Sequence, residues 1–134
     1  MPAQGLRGAM AEIPIQADAS FEIGFFEAVL KREPKFIEAI EILGSLYTRQ
    51  GRIADGLRMD RRLVRLQPDN PIAHYNLACS LALMRRPAAA LRALSRALET
   101  GYDDREHLAR DPDLDSLRSL PAFEALVERL SQGG

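Results

Sequence analysis

The residues of this chain that could do chemistry are two histidines, one cysteine and a run of acids near the C-terminal end. His74 lies in Ala73-His74-Tyr75-Asn76-Leu77-Ala78, at a large core position of a helical pattern, and is expected to be packed rather than reactive. His107 follows Glu106, but neighbours in sequence do not face one another on a helix. Cys79 has no evident base or activating cation, so an inert, partly buried thiol is expected. A single cysteine also excludes an internal disulfide and a cysteine-based zinc site. Asp103, Asp104, Glu106, Asp111, Asp113 and Asp115 lack the central Gly and closing Glu of a calcium loop, and read as caps and surface charge. There is no Gly-rich phosphate loop, no His-Glu-x-x-His and no nucleophile elbow. The expectation is a non-enzyme with no catalytic residue, cofactor, metal or small-molecule substrate.

The charge balance points the same way. Eighteen Lys+Arg against nineteen Asp+Glu leave a formal net charge of -1, so no global field draws the chain to nucleic acid or anionic membrane. The arginines do cluster, as Arg58, Arg61, Arg62 and Arg65 and again as Arg92 and Arg96. Asp55 and Asp60 lie among them, so they read as a solvated face with local ion pairs. No run of about eighteen apolar residues exists to span a membrane. The first eighteen residues lack the apolar stretch of a signal sequence, and a cytoplasmic location is expected. Residues 1–18 are expected to be a mobile leader, the alternative being a short helix or strand packed through Ile13 and Ile15.

Hydrophobic residues make up 46% and charged residues 28% of 134, enough apolar material for one folded domain without metals or disulfides. What would position the candidate residues is a repeat. With Ile37–Asn70 placed above Pro71–Asp104, an offset of 34, Ala39 falls on Ala73, Leu43 on Leu77, Arg52 on Arg86, Leu57 on Leu91 and Arg58 on Arg92. Gly44 pairs with Ala78 and Gly56 with Ala90, so small positions stay small, as close helix crossings require. Within each unit the apolar residues recur at helical spacing, first Ile40, Leu43, Leu46 and Tyr47, then Ile53, Leu57, Leu63 and Leu66. Gln50-Gly51-Arg52 separates the two runs and Pro68 ends the second. In the next unit Asp69 or Asn70 can cap, Pro71 and Pro87 suit first helical turns, and Gly101 is placed as a stop. No alternating segment predicts a sheet.

These units resemble tetratricopeptide repeats, helical hairpins of this length. The matching residues are Ile40, Leu43, Gly44, Tyr47, Gly56 and Pro68, then His74, Leu77, Ala78, Leu81, Ala90 and Tyr102. Asp60, at a usually aromatic position, and Tyr102, at the closing Pro, depart from the pattern. The resemblance implies an all-α fold of antiparallel hairpins stacked as a short right-handed superhelix. Residues 19–131 would form one domain: a half repeat at 19–34, repeats at 37–70 and 71–104, and divergent capping helices at 105–131. There Asp111-Pro112 cuts a helix short, Asp113 is expected to cap a short helix through Leu120, and Pro121 opens a last helix carrying Phe123, Leu126, Val127 and Leu130. That tail resembles the end of many bacterial repeat proteins of this type. Phe21, Phe25 and Phe26 are expected to pack against the helix at 37–50, with a dimer interface as the rival use of that surface.

In this repeat family the first helices line a concave face. That predicts a protein-binding row at Glu38, Glu41, Ile42, Ser45 and Arg49, then at Ile72, Tyr75, Asn76, Cys79 and Leu83, extended by Glu106 and Arg110. Each group shares a helix face and mixes apolar with hydrogen-bonding groups, which suits a peptide or partner helix. The resemblance implies that Asn76 contacts ligand backbone, or else makes an internal helix-to-helix bond, and that Arg110 could hold a carboxylate. Glu38 and Glu106 stand where relatives that clamp a carboxylate tail place lysines, which argues against an acidic tail. The expected function is a non-catalytic scaffold or adaptor binding a protein or peptide segment. The alternative is a homodimerisation module.

Overall fold

The computed structural model describes residues 19–133, and the expected leader lies outside them. Every element among the described residues is helical, and none is a strand. The chain divides into two compact units, one ending at Pro68 and the other beginning at Asp69. The first holds α1 (Ser20–Arg32), α2 (Ile37–Arg49) and α3 (Ile53–Leu66). The second holds α4 (Pro71–Leu83), α5 (Pro87–Glu99), α6 (Arg105–Arg110), a 3-10 helix (Pro112–Leu117) and α7 (Pro121–Gly133). The expected all-α class is therefore observed. No described helix is long and apolar enough to cross a membrane.

The offset seen in the sequence is repeated in the backbone. Helices α2 and α4 begin 34 residues apart, as do α3 and α5, and α5 and α7. Each hairpin turns by the same device. The N–H of Arg52 donates to the carbonyl of Tyr47 at 2.8 Å, that of Arg86 to Leu81 at 2.9 Å, and that of Tyr102 to Ala97 at 2.9 Å. This closure satisfies helix-end carbonyls and needs one left-handed residue just before the donor. Gly51 (φ 82°) and Gly101 (φ 117°) meet that need without strain, whereas Arg85 (φ 61°) adopts it with a side chain, at a cost of about 1–2 kcal/mol.

Burial follows the helical period. Helix α2 buries Ala39, Ile40, Leu43, Leu46 and Tyr47, and α3 buries Gly56, Leu57, Met59 and Leu63. These two helices pack as a hairpin, as do α4 and α5, while α1 packs on α2. A Cβ built on Gly56 would lie 2.5 Å from the Thr48 hydroxyl and 3.4 Å from the Gly44 carbonyl oxygen, so Gly56 sits at a close helix crossing. Asp60 is buried at the position where the resemblance leads one to expect an aromatic.

The second unit ends differently from a third repeat. Asn70 caps α4 through the N–H groups of Ile72 and Ala73, and Asp104 caps α6 through that of His107. Helix α6 stops after six residues because Pro112 forces Asp111 into an extended conformation. Asp111, not Asp113, caps the element that follows, accepting from the Asp113 N–H at 3.0 Å. That element is a 3-10 helix ending at Leu117, which corrects the expected helix through Leu120. It tucks Leu114 and Leu117, both 0% exposed, against α4 and α5. Fully burying such a leucine contributes about 1.5–3 kcal/mol. Phe123 and Leu126 of α7 are buried, and α7 packs on α5 and α6.

At the other end an expectation fails for two of three residues. Phe21 is 81% and Phe25 54% exposed, while Phe26 is half-buried. Helix α1 meets α2 through Ile23 and Leu30 instead, the residues that helical geometry puts on the opposite side.

Candidate functional site

In the second unit, α4, α6 and the 3-10 helix converge on Asp111, which is 7% exposed. Its Oδ1 takes the capping N–H. Its Oδ2 accepts from the Tyr75 hydroxyl at 2.7 Å and from the Cys79 thiol at 3.6 Å, and the His107 Nε2 lies 3.2 Å from the same oxygen. Arg118 donates to the Asp111 carbonyl at 2.6 Å, and its Nε bonds Asp115 at 2.9 Å. The rings of Tyr75 and Tyr102 stack at 4.4 Å and 7°. The Tyr102 hydroxyl is buried without a hydrogen-bond partner.

Cys79, Asp111 and Asp113 have donor atoms within 4.8 Å of one another, a spacing open to a cation. Yet both Asp111 oxygens already accept hydrogen bonds from the protein itself. The arrangement ties α6 and the 3-10 helix to α4. Its thiol and imidazole meet a carboxylate that is itself bound on both sides, so neither is set up as a nucleophile.

The predicted row splits by environment. In the first unit Glu38 and Arg49 are exposed, Glu41 and Ile42 half-buried and Ser45 buried. In the second, Ile72 is half-buried, Leu83 is exposed, and Tyr75, Asn76 and Cys79 are buried. The expected exposure is thus corrected at Ser45, Tyr75, Asn76 and Cys79. Tyr75 and Cys79 turn to Asp111 instead. Glu106 and Arg110 are exposed and pair with each other at 3.6 Å, worth little at a solvated surface. With Asp104, His107, Asp111 and Pro112 they line an open cleft of about 330 Å³. Arg58 and Arg52 both bond Asp55, and Arg58 above all holds that carboxyl below its usual range.

Asn76 differs from its neighbours. It is 9% exposed, and neither of its amide atoms is among the buried polar atoms left without a partner. It shares a stripe of α4 with Ile72 and Leu83.

Sequence reasoning missed Asp111, Arg118 and the tyrosine stack. Two signals were available. Asp-Pro interrupts the third repeat at the hub itself, and Tyr102 occupies the place of the closing Pro.

All three tyrosines of the chain resist ionisation. Burial, then Cys79 and the bond to Asp111, push Tyr75 up, and burial foremost does so for Tyr102. Tyr47, buried and donating to Glu27, is pushed up from 10.0 to about 12, chiefly by burial. A folded pKa above the unfolded one gives stability that is complete below pH 10.0 and is lost as pH rises through about 12. Phenolate absorbance is therefore expected to stay low as alkali is added, then rise together with the loss of helical circular dichroism. A smooth phenolate titration near the ordinary tyrosine range, with helicity intact, would contradict these environments.

No family model matches the chain. Over 92 residues it is 28% identical to a chloroplastic protein of Arabidopsis thaliana, covering 66% of this chain and 28% of that protein. Over 92 residues it is 35% identical to the peroxisomal targeting signal receptors of Komagataella phaffii and Komagataella pastoris, covering 67% of this chain and 16% of each receptor. The chain thus spans less than a third of the length of these curated relatives.

Proposed function

We propose that this chain is a tetratricopeptide-type, non-catalytic scaffold that holds a protein segment on the faces of its first helices. The observation that carries the reading is the stripe of α4 shared by Ile72, Asn76 and Leu83, on which Leu83 is exposed. The Asn76 amide offers both donor and acceptor to one peptide unit. Ile72 and Leu83 on the same stripe supply apolar contact. On α2, Glu38 and Ile42 offer an acid beside an apolar side chain, and on α6 Glu106 adds another acid. An apolar anchor suits the α4 stripe, and a neutral or mildly basic segment suits the acids that each unit carries on its own first helices. Two of the relatives are receptors for a targeting signal by name, which supports binding of a short segment.

Binding is tested by screening an array of short peptides with graded charge, followed by calorimetry on the best. Asn76→Ala is expected to weaken binding by about 1–3 kcal/mol, and Glu38→Lys to weaken basic peptides selectively. Arg61→Glu, an exposed change on α3, is expected to bind as the parent does. Tyr75→Ala is a poor probe because Tyr75 holds Asp111. If Arg61→Glu abolishes binding while Asn76→Ala and Glu38→Lys leave it intact, the first-helix faces are not the site.

A further inference from the structure

The outer side of α3 is written almost wholly in arginine. Its exposed residues are Ala54, Arg58, Arg61 and Arg65, with Arg62 half-buried beside them. The four arginines recur at i, i+3, i+4 and i+7, so they share one side of the helix over about 10 Å of its length. The two acids of the helix do not balance them. Asp55 is held by Arg52 and Arg58, and Asp60 is buried, 1% exposed. Like charges three and four residues apart repel on a helix surface, so the stripe is carried at some loss of stability.

The repeat does not require that loss. At the offset of 34, Arg61 corresponds to Ser95, Arg62 to Arg96 and Arg65 to Glu99. In α5 Glu99 accepts from Arg96 at 3.3 Å. In α3 an arginine stands in the place of that acid. The second hairpin is thus built with a neutral and an acidic residue where the first has two bases.

Asp55 shows what such a stripe takes. One carboxylate oxygen accepts from the Arg52 Nε at 2.8 Å and the other from Arg58. A single carboxylate is shared by two guanidiniums, in the charge-assisted manner that arginine favours. Beyond Arg58 the helix exposes no acid of its own. We propose that this stripe docks an acidic segment of another protein, one whose carboxylates recur one helical turn apart. Two other anionic partners fit less well. Helix α3 has no aromatic side chain on which unpaired bases could stack, and the formal net charge of -1 lacks the basic excess of a nucleic-acid binder. Leu57, Met59 and Leu63 are buried, whereas a helix lying on a membrane needs its apolar face free to enter the bilayer.

Calorimetry of the full chain against a helical peptide with glutamates at i, i+4 and i+7 on an alanine background tests this. Binding is expected to weaken several-fold as salt rises from about 50 to about 200 mM, and to vanish when the glutamates are glutamines. Arg61→Glu combined with Arg65→Glu is expected to weaken it more than about tenfold, with helical circular dichroism unchanged because both sites are exposed. The same variant is expected to keep its affinity for the basic peptides that suit the first-helix faces, which separates the two sites. Asp55→Asn, which releases Arg58, is expected to tighten the acidic peptide. No binding of the glutamate peptide, equal binding of the glutamine peptide, or undiminished binding by the double variant overturns the proposal. So does tighter binding of a single-stranded oligonucleotide or of phosphatidylserine vesicles, or salt-sensitive self-association of the chain that requires Arg61 and Arg65.

Discussion

Asp111→Ala is expected to lower the unfolding free energy by about 3 kcal/mol, the largest single effect among the polar residues. The change removes the acceptor of the Tyr75 hydroxyl and leaves that group buried. A bond to a charged acceptor is worth about 1.5–3 kcal/mol, and an orphaned buried donor costs about 1–3 kcal/mol. It also strips the cap from the 3-10 helix, worth about 1 kcal/mol, and frees the Cys79 thiol and His107 imidazole. Because the terms share one carboxylate they do not simply add. In thermal melts the loss corresponds to a midpoint about 10 °C lower. Asp111→Asn keeps one side-chain oxygen and is expected to cost roughly half as much. A cycle with Tyr75→Phe should show coupling of about 1–3 kcal/mol. A melt of Asp111→Ala within a degree or two of the parent would mean that the carboxylate is no hub.

Gly56→Leu is expected to cost about 3 kcal/mol, at the upper end for overpacking. The first added carbon would already stand 2.5 Å from the Thr48 hydroxyl. Thr48 is short and β-branched, so it yields only by rotating χ1 and giving up its 3.0 Å bond to the Gly44 carbonyl. Otherwise α2 and α3, which pack on one another, must separate. Gly56→Ala meets the same first contact but recovers about 1 kcal/mol of helix propensity, so a net loss nearer 1 kcal/mol is expected. Thr48→Ala in the Gly56→Ala background removes the obstructing oxygen. That double variant is expected to be more stable than Gly56→Ala alone, which denaturant titration would measure. Equal stability of Gly56→Leu and the parent would remove Gly56 from the crossing.

Much of the fold was legible because the signals are local. A turn that needs a left-handed residue is written at Gly51 and Gly101, and a cap is written at Asn70. Each involves bonds spanning five residues or fewer, and the 34-residue register carries them from one hairpin to the next. Even Arg85, which no turn rule favours, is explained once it is seen to occupy the place of Gly51. The apolar faces were legible for the same reason, since helical spacing fixes which side chains share a side.

The tertiary structure alone decided two matters. The Oδ2 of Asp111 meets Tyr75 and Cys79 from 36 and 32 residues away, a pairing no helical period encodes. It turned two residues expected to face a ligand into supports for the end of the unit. At α1, periodicity said that Phe21 and Phe25 lie on an apolar side, but not whether anything packs there. Spacing determines which side chains lie together. Cover depends on a second element reaching them, and among the described residues α2 reaches the opposite side.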